Sequence, residues 1–139
     1  MGRIVAIDYG KQRCGVAWTD PLQLSVNPQP WIRPDELLDF LVAFVASEEV
    51  ELVLLTKSQH IDGTANPIQQ DINRFAERLK KKNPAIKLDY ADEYKSSKEA
   101  VQHLRNTGVG KKKRSKKGAL DSVAAGIILE RYLRDSGRW

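Results

Sequence analysis

Two periods of hydrophobic and polar positions succeed each other along this chain, and the switches between them mark its elements. Ile4, Val5, Ala6 and Ile7 are an unbroken apolar run that predicts a buried strand over about residues 3–9. Tyr9-Gly10-Lys11-Gln12-Arg13 reads as a tight turn, and Cys14-Gly15-Val16-Ala17-Trp18 resumes as a second strand over about 13–19. Leu24 to Ile32 predicts a third, irregular strand, which Pro28 and Pro30 demote towards a sheet edge. The period then changes. Pro34-Asp35-Glu36 starts a helix, and Leu37, Leu38, Leu41, Val42 and Val45 mark its apolar face. Glu51 to Leu55 is a short apolar strand of the kind buried inside parallel sheets.

Residues 56–66 are polar and contain the turn signal Asp62-Gly63. Pro67 suits the first turn of a second helix, with Ile68, Ile72, Phe75 and Leu79 as its core face. Lys80-Lys81-Lys82 places cations at the negative end of that helix, and Pro84 stops it. Residues 86–91 predict a fifth strand. Ser96 and Glu99 form a capping box for a helix through Leu104, which Thr107-Gly108-Val109-Gly110 breaks. A last helix runs from Ala119 to Leu133, with Leu120, Val123, Ala124, Ile127 and Ile128 as its buried face. The order β-β-β-α-β-α-β-α-α predicts an α/β fold: a five-stranded mixed β-sheet flanked by helices, in one domain over residues 1–139.

Charge sharpens this picture more than composition does. At 41% hydrophobic and 29% charged residues the chain has the balance of a soluble globular protein. Asp8, Lys11 and Arg13 rule out an apolar signal-peptide core at the start, and no apolar run approaches the roughly 18 residues of a membrane span. The single cysteine, Cys14, leaves no internal disulfide, so a cytoplasmic protein with no membrane association is expected. The net charge of +5 is unevenly spread: residues 1–66 hold 5 Lys/Arg against 9 Asp/Glu, and residues 67–139 hold 18 against 9. A polyanion approached by the C-terminal half fits that asymmetry. Six of the seven residues in 111–117 are cationic: Lys111, Lys112, Lys113, Arg114, Lys116 and Lys117.

The candidate chemistry lies in carboxylates. Asp8 continues the alternation of Ile4 and Ala6, so it shares their face at the end of the first strand. A carboxylate on a buried face needs a partner or a cation. Asp92 and Glu93 stand at the C-terminal edge of the fifth strand, where parallel sheets form ligand crevices. Asp121 falls at the start of the last helix, a position that the helix dipole alone would explain, but Ala124 and Ala125 let this helix come close to the sheet. Acids from separate elements meeting at one edge repel unless cations bind between them. Oxygen-only ligands favour Mg²⁺ or Mn²⁺, and two such ions about 4 Å apart can activate water and stabilise a leaving 3′ oxygen in phosphodiester cleavage.

With these residues in hand, the chain resembles the YqgF/RuvX family of ribonuclease H-like proteins, named as Holliday junction resolvases or pre-16S rRNA nucleases. The resemblance rests on IDYGKQRCGVAW at the start, IDGTANP in the middle, ADEYKSS at the fifth strand's edge and KKGALDSVAAGIILERYL at the end. It implies a ribonuclease H-like fold, and Asp8, Glu93 and Asp121 as catalytic and metal-holding residues of a divalent-metal-dependent nuclease. It selects Glu93 over Asp92, which spacing leaves open. It also implies a role in 5′-end maturation of bacterial pre-16S rRNA, with DNA junction resolution as the alternative. A resolvase would need two symmetric sites, hence a homodimer. The chain departs from the family pattern at Thr56-Lys57-Ser58, where Gly-Leu-Pro is usual, and at Tyr94, where Arg is usual.

Around this centre, Gly10 and Gly15 are expected to let the hairpin turn tightly, and Asp62-Gly63 to form a further turn. Lys11, Arg13, Lys95 and the cations of 111–117 are the candidate nucleic-acid contacts, with structured RNA favoured as partner and a DNA junction as the alternative. The Asp-x-Gly-x-x-x-x-Gly start also resembles the phosphate-binding hairpin of actin-like ATPases and sugar kinases. Those close two such domains around a nucleotide, and this chain has room for one. A non-catalytic RNA-binding module is the stronger rival. His60 and His103 read as isolated polar residues, Cys14 as a packed small hydrophobe, and Trp18 and Trp31 as core or sheet-edge residues.

Overall fold

The apolar run at the start of the chain becomes the middle of a sheet because both of its faces are covered. The computed structural model describes residues 2–57, 67–92 and 117–139, with side chains of the last segment described from Ser122 onwards. Strand β1 (Arg3–Asp8) pairs antiparallel with β2 (Cys14–Thr19), which pairs antiparallel with β3 (Val26–Ile32). Helix α1 (Pro34–Ser47) leads to β4 (Val50–Lys57), which lies parallel to β1. Helix α2 (Ile68–Lys82) leads to β5 (Leu88–Asp92), parallel to β4, and α3 (Lys117–Asp135) ends the fold. The strand order is β3-β2-β1-β4-β5. As the prolines require, β3 is an edge. The helix expected over 96–104 and the basic residues 111–116 lie outside the described residues. Among those described, no helix is long and apolar enough to cross a membrane.

Strand alternation divides the core in two. Val5, Ile7, Val16, Val53 and Leu55 pack against Leu37 and Leu41 of α1 and Ile72, Phe75 and Leu79 of α2. Ile4, Ala6, Ala17, Leu52 and Leu54 face Ala125, Ile128, Leu129 and Leu133 of α3. Burying each Leu or Ile side chain in these layers contributes about 1.5–3 kcal/mol relative to exposure. The α1 stripe also carries Phe40 and Phe44, which stack with Trp18.

Two expectations are corrected here. First, β4 runs through Thr56 and Lys57, which were expected in the loop, because both find partners on β5. Second, α3 begins at Lys117, so this residue belongs to a helix and Asp121 stands past the first turn. The buried face of α3 is also rotated from the expected one. Leu129 and Leu133 are fully buried, while Val123 and Ile127 are only half-buried. The helix is apolar on more than one side, and contact with β1, β2 and β3 selects which side faces in.

The direction of α3 follows from its far end. Tyr132 donates to Asp89 of β5 at 3.0 Å, Arg138 donates to Glu51 at the start of β4 at 2.8 Å, and the Trp139 indole donates to the Gln23 carbonyl at 2.8 Å. Helix α3 therefore runs antiparallel to β1 and β4. Its 19 residues, about 28 Å, reach back to the sheet edge where those strands end.

Candidate active site

That edge carries Asp8. The parallel register pairs Ile7 with Leu55, so the following residues, Asp8 and Thr56, stand side by side on the α3 face. Across the edge the row continues from Gly15, opposite Asp8, to Ala91, opposite Thr56. Asp8 is half-buried. Thr56 is fully buried and its hydroxyl has no partner among the described residues; Ser122, 4% exposed in the second turn of α3, is in the same condition. Such hydroxyls normally find a hydrogen bond, and leaving one unmade costs about 1–3 kcal/mol. Thr56 stands beside Asp8 on the sheet, and Ser122 lies on the helix that packs over the same face.

Strand parity bears on the pair of acids that spacing left open. Leu88 packs in the α1–α2 core and Ala91 in the α3 core, so Asp92 falls on the α1–α2 face, away from Asp8. Glu93 lies outside the described residues, as do Lys95, Lys111, Lys112, Lys113, Arg114, Lys116, Asp62, Gly63, His60, Tyr94 and His103. Asp121 lies in α3, and its side chain is outside those described. Among the described residues, no group of three His, Cys, Asp or Glu side chains comes together.

The hairpin glycines differ in role. A Cβ on Gly10 would lie 2.2 Å from the Arg13 carbonyl oxygen, so only glycine closes this turn. Gly15, expected in the second strand and to help the hairpin turn, is a buried residue of β2 paired with Asp8, so the ladder is already in register there. Lys11 is exposed at the tip, and the Arg13 guanidinium sits 5.6 Å from the centre of the Trp31 ring. Tyr9, next to Asp8, packs on Phe75 with ring centres 5.7 Å apart. Burial, then the neighbouring Cys14 and Asp71, push its phenol above the usual range. The phenol thus stays protonated at neutral pH.

With this arrangement described, comparison with known proteins is decisive. The sequence model of RuvX, described as Holliday junction resolvase, matches residues 2–135. The chain belongs to the RuvX family. Its membership makes it one of a group of hydrolases acting on nucleic acid. A relative from Chlorobium phaeobacteroides, named "Putative pre-16S rRNA nuclease", is 38% identical over 135 residues, covering 97% of this chain and 94% of the relative. One of the same name from Bacteroides thetaiotaomicron is 38% identical over 133 residues, covering 96% of each.

Among solved structures, RuvC of T. thermophilus in complex with a Holliday junction substrate superposes with a TM-score of 0.61 at 9% identity, covering 99% of this chain and 97% of that one. The yeast mitochondrial Holliday junction resolvase superposes with a TM-score of 0.58 at 12% identity, covering 99% and 80%. At such identities the likeness speaks for the fold alone, and that fold is ribonuclease H-like. Sequence reasoning therefore reached the family and the sheet. It missed the buried hydroxyls of Thr56 and Ser122, for which only the departure from Gly at position 56 was a signal, and it missed the pairing of Arg13 with Trp31.

Proposed function

We propose that this RuvX-family chain is a divalent-metal-dependent nuclease acting in the cytoplasm on the 5′ end of pre-16S rRNA, with Asp8, Glu93 and Asp121 as its catalytic and metal-holding residues. The observation that supports this reading is that β1, which ends in Asp8, and β5, which ends just before Glu93, run parallel to β4 and so end at the same sheet edge, with the buried Thr56 hydroxyl, unbonded among the described residues, between them. The strand parity that turns Asp92 away from Asp8 supports the next residue, Glu93, as the second acid.

The donor set fits a hard cation. Carboxylates and hydroxyls supply only oxygen, and Mg²⁺ or Mn²⁺ takes oxygen ligands with room left for water and phosphate. When bound, such ions supply an activated water and stabilisation of the leaving oxygen. The chain's own contribution is to hold Asp8 rigidly between β2 and β4, and to bring the polyanion in. Exposed Lys11, together with Arg13, Lys95, Lys111, Lys112, Lys113, Arg114, Lys116 and Lys117, would neutralise phosphates, so binding should weaken steeply with salt.

The names of the Chlorobium and Bacteroides relatives favour RNA. The family description and the junction-bound RuvC structure favour a second reading, resolution of a DNA junction by a homodimer. A cleavage assay with Mg²⁺ or Mn²⁺ on a ribosomal RNA precursor and a four-way DNA junction, comparing wild type with Asp8→Asn, tests both. Metal-dependent cutting lost in the variant is the expected result, and the substrate cut chooses between the readings. If neither is cut while both proteins bind RNA equally, the chain is a non-catalytic RNA-binding module.

A further inference from the structure

Beside the carboxylate edge, on the other face of the sheet, lies a groove that the nuclease reading does not use. It has a volume of about 290 Å³ and is lined by Trp18, Pro30, Trp31, Ile32, Phe40 and Glu36, with Gln29 at its side. Its floor is rigid. Trp18 stacks on Phe44 with ring centres 4.5 Å apart and on Phe40 at 6.2 Å. Its wall, Trp31, is 41% exposed on the edge strand β3, and Arg13 covers part of the indole.

The register fixes where this groove lies. Cys14 pairs with Ile32, and Gly15 pairs with Asp8, so Trp31 sits at the same end of the sheet as Asp8. Two strand spacings, roughly 10 Å, separate their backbones. Lys11 and Arg13, at the tip of the β1–β2 hairpin, stand between them. A strand passing from the acids over the hairpin would meet two cations and then an exposed indole.

We infer that Trp31, with Arg13 beside it, is a stacking site for one unpaired nucleobase of the substrate strand. The inference rests on the nuclease reading and extends it to a binding residue. Indole and guanidinium planes are the surfaces on which splayed bases stack. Glu36 is the carboxylate among the lining residues. It suits the exocyclic amino group of a base and keeps phosphate at the hairpin tip. A protein strand is the less suitable occupant. Pro28 and Pro30 remove two main-chain donors from β3, which weakens this edge as a template for strand addition.

The test is fluorescence anisotropy of a labelled single-stranded RNA of about ten nucleotides and of its duplex, with the full chain in EDTA so that no cleavage occurs. Trp31→Ala should weaken single-strand binding roughly tenfold and leave duplex binding within about twofold, while Trp31→Phe retains most of the affinity. Thermal melting should show all variants folded, as expected for a residue so exposed. Equal single-strand affinity of wild type and Trp31→Ala overturns the inference, and so does an equal loss on both nucleic acids. A dimer that Trp31→Ala converts to monomer in sedimentation would identify the groove as a contact between copies instead. Wild type that binds no nucleic acid removes the nuclease reading and the stacking site together. Wild type that cleaves once Mg²⁺ is restored, with Trp31→Ala binding normally in EDTA, removes only the stacking site.

Discussion

The two ends of the sheet are built to opposite rules. At the end where β4 starts, a polar cluster closes on itself. The Glu51 carboxylate accepts from Gln23 at 2.9 Å and from Arg138 at 2.8 Å, Gln23 donates to the Gly2 carbonyl at 2.8 Å, and the Trp139 indole donates to the Gln23 carbonyl. This network holds Gln23 in a left-handed conformation, φ 59°, that would otherwise be disfavoured. Arg3 Nε is the exception, buried without a hydrogen bond but 4.0 Å from Glu48. At the opposite end, Thr56 and Ser122 keep buried hydroxyls without partners beside a half-buried carboxylate. One end closes its polar groups on one another; at the other, two buried hydroxyls stay unbonded among the described residues.

Replacing an acid at the open end should separate activity from stability most sharply. Asp8→Asn is expected to lower metal-dependent cleavage by more than about a hundredfold, since even residues that only support metal ligands contribute 10–100-fold. On the proposed reading the change removes one of three mutually repelling acids, so the melting temperature should hold. Cleavage at the wild-type rate would dismiss Asp8 from the site. At the closed end the pattern should invert. Glu51→Ala removes an ion pair about two-thirds buried and strands Gln23, costing about 1–2 kcal/mol in urea unfolding after allowance for solvent screening. Cleavage should be unchanged. A Glu51→Ala protein that is equally stable but inactive would erase the distinction between the ends.

How much of this was legible beforehand depended on how local each signal was. The β1–β2 hairpin, the demotion of β3 by Pro28 and Pro30, and the inward stripes of α1 and α2 all follow from residues within a few positions of one another. The carboxylate Asp8 was legible for the same reason, as a charge ending an apolar run. What escaped was set by partners distant in sequence. Thr56 and Lys57 belong to β4 only because β5 lies beside them. Leu129 and Leu133 face inward in place of Val123 and Ile127 because α3 crosses three strands whose positions no helical period encodes. Trp31 and Arg13 are 18 positions apart, and only the β2–β3 ladder brings them together.

Thr56→Val tests the open end without touching an acid. The two side chains have nearly the same shape, and the hydroxyl that Val lacks is buried without a partner. Removing it should raise stability by about 0.5–1 kcal/mol, measured by urea unfolding. A loss of stability would mean that the hydroxyl is already satisfied within the folded chain, and the contrast between the ends would shrink to Ser122.

The smallest expected effect is a pH dependence at the closed end. The hydrogen bond from Gln23, and then the charge and hydrogen bond of Arg138, hold the Glu51 carboxyl below its ordinary range. A group whose pKa is lower in the folded state binds its proton more readily when unfolded. Its contribution is therefore complete above the ordinary carboxylate value, near 4.5, and is lost as pH falls through the folded-state value. Asp20 acts in the same window, since the backbone N–H groups of Ser25, Leu24 and Leu22 lower its pKa too. The wild-type curve alone thus sums Glu51, Asp20 and every other carboxylate that titrates there. Glu51→Gln keeps a side chain of the same shape but cannot titrate, so the difference between wild-type and variant melting temperatures isolates Glu51. That difference should be constant from pH 8 to about pH 5 and shrink below it, by the equivalent of less than about 1 kcal/mol for a pair still one-third exposed. A difference that grows on acidification would mean that Glu51 is destabilising when charged, and the closed end would then be held by Trp139 and Gln23 alone.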